Sequence, residues 1–75
     1  MEEKEQIIIN HLNMLYNTIK ESGYDPKSQI IGFLTTGDLG YISNAENCRN
    51  LIQDYEREDY LEALLHLTKG VDFNK

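Results

Sequence analysis

From about Glu3 to Ser22 the chain reads as one helix with an apolar arc too wide for a short chain to cover. On a 3.6-residue wheel, Ile8, Leu12, Leu15 and Ile19 fall on one line. Ile9 and Tyr16 flank that line on one side, and Ile7, His11 and Met14 flank it on the other. Asn10, Asn13, Asn17, Lys20 and Glu21 make the polar strip. An ordinary surface helix needs an apolar stripe of about 100°, whereas this arc spans well over half the circumference. The chain has 75 residues, which reads as one domain over 1–75 with few elements to lay against such a helix. A domain this short buries only about 60–65% of its unfolded surface. The single cysteine, Cys48, precludes an internal disulfide, and no cysteine–histidine cluster offers a zinc staple. Efficient helix packing or a second copy of the chain is left. The expectation is therefore a symmetric homodimer, intertwined or packed face to face.

The rest of the chain also reads as helix. Gly23 suits the left-handed position that ends a helix. Asp25 is placed as an N-cap with Pro26 at the first helical position. A second helix is expected over about Pro26 to Thr35, with Ile30, Ile31, Phe33 and Leu34 on its apolar face and Ser28, Gly32, Thr35 and Thr36 opposite. A glycine inside a helix costs about 1 kcal/mol relative to alanine, and close approach of another backbone is the usual compensation. Thr36-Gly37-Asp38-Leu39-Gly40 has turn composition. Ser43-Asn44-Ala45-Glu46 has capping-box spacing, so a third helix is expected from about Asn44 to Tyr55 or Glu56, striped by Ala45, Cys48, Leu51, Ile52 and Tyr55. Glu56 to Asp59 is either a break or a solvated continuation. Tyr60, Leu61, Leu64, Leu65 and Leu67 make a last apolar face ending at Gly70, with 70–75 as a frayed tail. The fold class is all-α, a small bundle of four to five short helices.

The net charge of −6, with seven scattered bases, argues against nucleic acid and against an anionic membrane surface. The acidic start and the lack of an apolar run near 18 residues argue against a signal peptide and a membrane span. A reduced cytoplasmic setting is the expectation.

No catalytic, cofactor-binding or metal-binding constellation emerges. His11 and His66 stand far apart and read as structural. Cys48 lies on an apolar stripe without the base or electropositive setting a nucleophile needs. Thr36 to Gly40 superficially suggests a phosphate cradle, but it lacks the Lys-Ser/Thr ending and a preceding strand. Glu56 to Asp59 lacks the alternating ligands of a calcium loop. The second helix, the glycine turn and the third helix have roughly the layout of a helix–turn–helix. Its recognition face would carry Asn44, Asn47, Arg49, Asn50 and Gln53, but phosphate-contacting cations are missing and the turn is long.

The stretch Gly23-Tyr24-Asp25-Pro26, Gln29-Ile30-Ile31-Gly32-Phe33-Leu34, Gly37-Asp38, Tyr41-Ile42, Arg49-Asn50-Leu51-Ile52 and Arg57 resembles the IreB family. These are small regulatory phosphoproteins of Gram-positive bacteria. The resemblance implies a helical homodimer without enzymatic activity. It also implies a target of a transmembrane Ser/Thr kinase and its phosphatase in the cell-envelope stress response. The family's phosphoacceptor threonines lie in an N-terminal extension. Here the chain opens Met1-Glu2-Glu3-Lys4-Glu5-Gln6, and its first threonine is Thr18. No phosphoacceptor is carried over, and Thr18, Thr35, Thr36 and Thr68 all stay open. Leu39 stands where the family typically shows proline, which fits a divergent paralogue.

The leading expectation is a non-enzymatic cytoplasmic regulatory protein that binds an unknown protein partner, without cofactors. Thr36, Asp38, Tyr41 and Arg49 are the expected contact residues, since loops on a rigid scaffold carry function. The alternative is a compact helix–turn–helix-like DNA-binding regulator.

Overall fold

Residues 3–68 are described by a computed structural model of the chain. Four α-helices follow one another: α1 (Glu3–Glu21), α2 (Pro26–Thr36), α3 (Cys48–Leu51) and α4 (Arg57–His66). Short 3-10 turns occupy Leu39–Tyr41, Ala45–Asn47 and Ile52–Asp54. No strand occurs among the described residues, so the chain is all-α as expected. The expected end of the last helix at Gly70 and the 70–75 tail lie outside the described residues.

The α1–α2 joint follows from local chemistry. Gly23 adopts φ +89°. Its N–H donates to the Lys20 carbonyl at 3.0 Å and the Tyr24 N–H to the Ile19 carbonyl at 3.3 Å, a Schellman ending. Asp25 then caps α2, its Oδ1 accepting from the Lys27 and Ser28 N–H groups, and Pro26 opens the helix. At the far end Gly37 takes φ +78°, and its N–H returns to the Phe33 carbonyl at 2.7 Å. That is the simpler left-handed cap, and it leaves the Leu34 carbonyl without its helix partner.

The core gathers one face from each element. Ile8, Leu15 and Ile19 come from α1, Ile30, Phe33 and Leu34 from α2, and Tyr60 and Ala63 from α4. Ile42, Cys48 and Ile52 fill the middle. The expected line on α1 is the buried one, with Leu12 half-buried against the core. The flanks Ile7, Met14 and Tyr16 remain exposed, at 49%, 38% and 40%. α1 packs on α4, α2 and α3 in turn.

Three expectations are corrected. The third helix does not start at Asn44: α3 begins at Cys48, because Glu46 (φ +49°) and Asn47 (φ +65°) are left-handed. Such backbone costs a non-glycine residue about 1–2 kcal/mol. The Ser43–Glu46 box is not formed. Instead Asp59 closes onto the Glu56 N–H at 3.1 Å, so the acidic run 56–59 is a break that starts α4. The apolar face of α4 is Tyr60 with Ala63, and Leu61, Leu64, Leu65 and Leu67 are exposed. Ala63 is small enough to let α4 close on its neighbours. Finally, no backbone lies against Gly32. The ring of Tyr41 does, with Cδ1 only 2.3 Å from where a Cβ would stand.

Candidate functional site

The end of α2 and the turn after it form a pinned corner. The Thr36 hydroxyl donates to the Gly32 carbonyl at 2.7 Å and accepts from the Asp38 N–H at 3.1 Å. Asp38 caps the 3-10 turn Leu39–Tyr41, its Oδ1 accepting from the Gly40 N–H at 2.8 Å. The turn swings Tyr41 back onto α2, where its ring covers Gly32 while the residue stays 47% exposed. Ile31, next along α2, is 51% exposed. Arg49 reaches back from α3, and its Nε donates to the Ile42 carbonyl at 2.7 Å. Thr36, Asp38 and Tyr41 thus share one corner, and Arg49 is anchored to the residue after Tyr41.

Two positions that the spacing of the sequence could not place complete the corner. Arg57 crosses from the first turn of α4. Its Nη1 lies 3.4 Å from the Leu34 carbonyl that the left-handed cap leaves open. Its guanidinium covers Gly37, with Cζ 2.9 Å from where a Cβ would stand. A cation at that end also opposes the negative pole of the helix dipole. Gln29 accepts the Ser43 N–H at 2.9 Å and holds the exit of the corner against α2. These contacts join residues 23 and 14 apart in the chain, beyond any local pattern. Neither Arg49 nor Arg57 forms an ion pair among the described residues.

The remaining chemistry-bearing groups are tied into the scaffold. His11 Nε2 donates to the Leu51 carbonyl at 2.7 Å and lies 3.6 Å from Asp54 Oδ2, and its ring meets Tyr55 edge-on. His66 Nδ1 pairs with Glu5, joining the end of α4 to the start of α1. Cys48 is fully buried. Burial first, and then the negative charge of Glu46, push its thiol up, away from the thiolate that a nucleophile needs. Tyr60 is fully buried, donates to the Ile52 carbonyl at 2.8 Å, and has its phenol pushed upward mainly by burial. Among the described residues no group of three or more His, Cys, Asp or Glu is placed to hold a metal ion. No described helix is long and apolar enough to cross a membrane.

The helix–turn–helix reading needs a recognition helix. α3 is a single turn of four residues. Asn44 and Asn47 precede it, Gln53 follows it in a 3-10 turn, and the Nε of Arg49 is taken by a backbone carbonyl. The five polar residues do not share a helix face that could enter a groove.

Compared with known proteins, residues 1–68 match the model of the family described as IreB regulatory phosphoprotein. A UPF0297 protein of Lachnoclostridium phytofermentans is 38% identical over 64 residues, which cover 85% of this chain and 73% of the relative.

Proposed function

Since the chain belongs to the IreB family of regulatory phosphoproteins, its role is regulatory, and we propose that it acts by binding a protein partner at the Tyr41 corner. The observation that carries this reading is Tyr41 itself. An aromatic ring clamped on Gly32 by a capped turn, and still half-exposed, presents an apolar anchor with little conformational entropy to lose. Ile31 widens the apolar patch, and Thr36, Asp38 and Arg49 supply a polar rim.

In this reading the chain has no enzymatic activity, works in the cytoplasm as a target of Ser/Thr kinase signalling tied to envelope stress, and forms a homodimer. The family's description as a regulatory phosphoprotein supports a role tied to phosphorylation. The dimer is supported by the apolar side chains left exposed on α1 and α4: Ile7, Met14 and Tyr16 on one, Leu61, Leu64 and Leu65 on the other. A phosphate on Thr36 would remove its bond to Gly32. It would also add about −2 charge at the negative end of α2, a direct way to loosen the corner.

The test is a photo-crosslinking amino acid placed at position 41 in the native cell, with Lys20, in the polar strip of α1, as the control position. A discrete heterologous adduct from position 41, absent from position 20, is expected. Adducts from both positions alike, or from neither, would contradict the assignment.

A further inference from the structure

Residues 43–47 carry two competing instructions, and the structure shows one of them. The spacing Ser43-x-x-Glu46 is a capping box that would start α3 at Asn44, about one turn earlier than observed. That box needs two bonds. The Ser43 hydroxyl must accept the Glu46 N–H, and the Glu46 carboxylate must accept the Ser43 N–H. Neither is made. The Ser43 N–H is held instead by Gln29 Oε1 at 2.9 Å. The Ser43 hydroxyl is left buried without a hydrogen-bond partner. Glu46 and Asn47 sit in the left-handed region, and Asn47, the N-cap of α3, gives it no side-chain cap bond. One bond favours the observed arrangement locally: Asn50 Nδ2 donates to Asn47 Oδ1 at 2.8 Å.

The unmet hydroxyl, the two left-handed non-glycine residues and the vacant cap are all relieved by a single change. We infer that residues 43–47 are a two-state switch in which Gln29 and Glu46 compete for the Ser43 N–H. When Gln29 holds it, the chain has the short α3 described above. When Glu46 takes it, Ser43 caps a helix lengthened over residues 44–47, and both left-handed residues become helical. An isolated capping-box match would carry nothing. Here the orphaned atom is the one that the longer helix uses as its cap, and the strained residues are the ones that it absorbs.

The switch lies between Tyr41 and Arg49, so growth of α3 changes how the Arg49–Ile42 tether meets the corner. That regulatory consequence rests on the proposed contact surface; the switch itself does not, and its test needs no partner.

The experiment is nuclear magnetic resonance on the full chain, reading backbone carbon shifts at Ala45, Glu46 and Asn47. Gln29→Ala removes the competitor and is expected to move all three toward helical values. Ser43→Ala added to it removes the cap and is expected to move them back. Shifts in Gln29→Ala that match the wild type, or that Ser43→Ala fails to reverse, overturn the inference. If Gln29→Ala does not fold, the wild type is compared with Glu46→Gly, which favours the left-handed state and removes the competing carboxylate. Microsecond-to-millisecond exchange at 44–48 in the wild type that Glu46→Gly removes is the expected result; its absence from the wild type, or its persistence in Glu46→Gly, overturns the switch.

Discussion

At the scale of single residues, Gly32 and Tyr60 do the most specific work. An alanine at position 32 would gain about 1 kcal/mol of helix propensity, but its Cβ would stand 2.3 Å from Tyr41 Cδ1. Gly32→Ala is therefore expected to stabilise a Tyr41→Ala background by about 1 kcal/mol and to gain much less in the wild type. Urea melts of the four proteins measure the difference. Tyr60 has the opposite character. Its phenol is raised above the ordinary 10 by burial first, with negative charge from Asp54 next. Above pH 10 the unfolded chain gives up this proton while the folded chain keeps it, so the contribution is complete below pH 10 and lost as pH rises. Tyr60→Phe is expected to cost about 1–3 kcal/mol at pH 7, because it orphans the Ile52 carbonyl, and to flatten the alkaline loss seen in melts above pH 10. Asp38 was legible in the sequence as a turn residue because turn chemistry is local, whereas Tyr41 lay past the residues of turn composition and closes the 3-10 turn. The seat of Tyr41 on Gly32 was not: the mid-helix glycine announced a close approach but not which group makes it.

At the scale of elements, helix ends written in neighbouring residues are legible and those written across the fold are not. The Schellman ending at Gly23 and the Asp25-Pro26 start draw on residues within a few positions, and both appear where the sequence places them. The start of α3 does not, because Gln29, fourteen residues away, holds the donor that the local box needs. The face of α4 misleads for a related reason. Four leucines outvote Ala63 on any hydropathy count, yet close packing of Tyr60 and Ala63 decides which side turns inward. Two outcomes follow for α2. Gly37→Ala must hold φ +78° and displace the Arg57 guanidinium, so a loss of about 1–2 kcal/mol is expected. That loss should be smaller in an Arg57→Ala background, where one of the two penalties is gone. At the other end, the side-chain and then the backbone bonds from Ser28 hold the Asp25 carboxyl below the ordinary 3.8. Its support is present above that value and falls away as pH drops through the lower folded one. Asp25→Ala is expected to weaken the protein at neutral pH and to make the acid limb of its stability curve shallower, read by circular dichroism between pH 6 and 2.

At the scale of the whole molecule, the excess of apolar surface noted on α1 persists after folding. One chain covers the line Ile8, Leu12, Leu15 and Ile19 and leaves Ile7, Met14 and Tyr16 half open, while Leu61, Leu64 and Leu65 on α4 and Leu67 just past its end are exposed. The body measures 39 × 23 × 19 Å, too slender to wrap a helix that is apolar around most of its girth. Scattered exposed leucines are ordinary on a large protein; this many on so small a chain support the proposed dimer. A net charge of −6 supplies no specific cover for this surface. On the function proposed above, the protein works through its surfaces, against a second copy of itself and against a regulatory partner at the Tyr41 corner. Light scattering coupled to size exclusion at micromolar concentration tests the first of these most directly. A mass twice that of the 8.7 kDa chain is expected, reduced to the single-chain value by Leu61→Glu with Leu65→Glu. A wild-type mass of one chain would contradict the account.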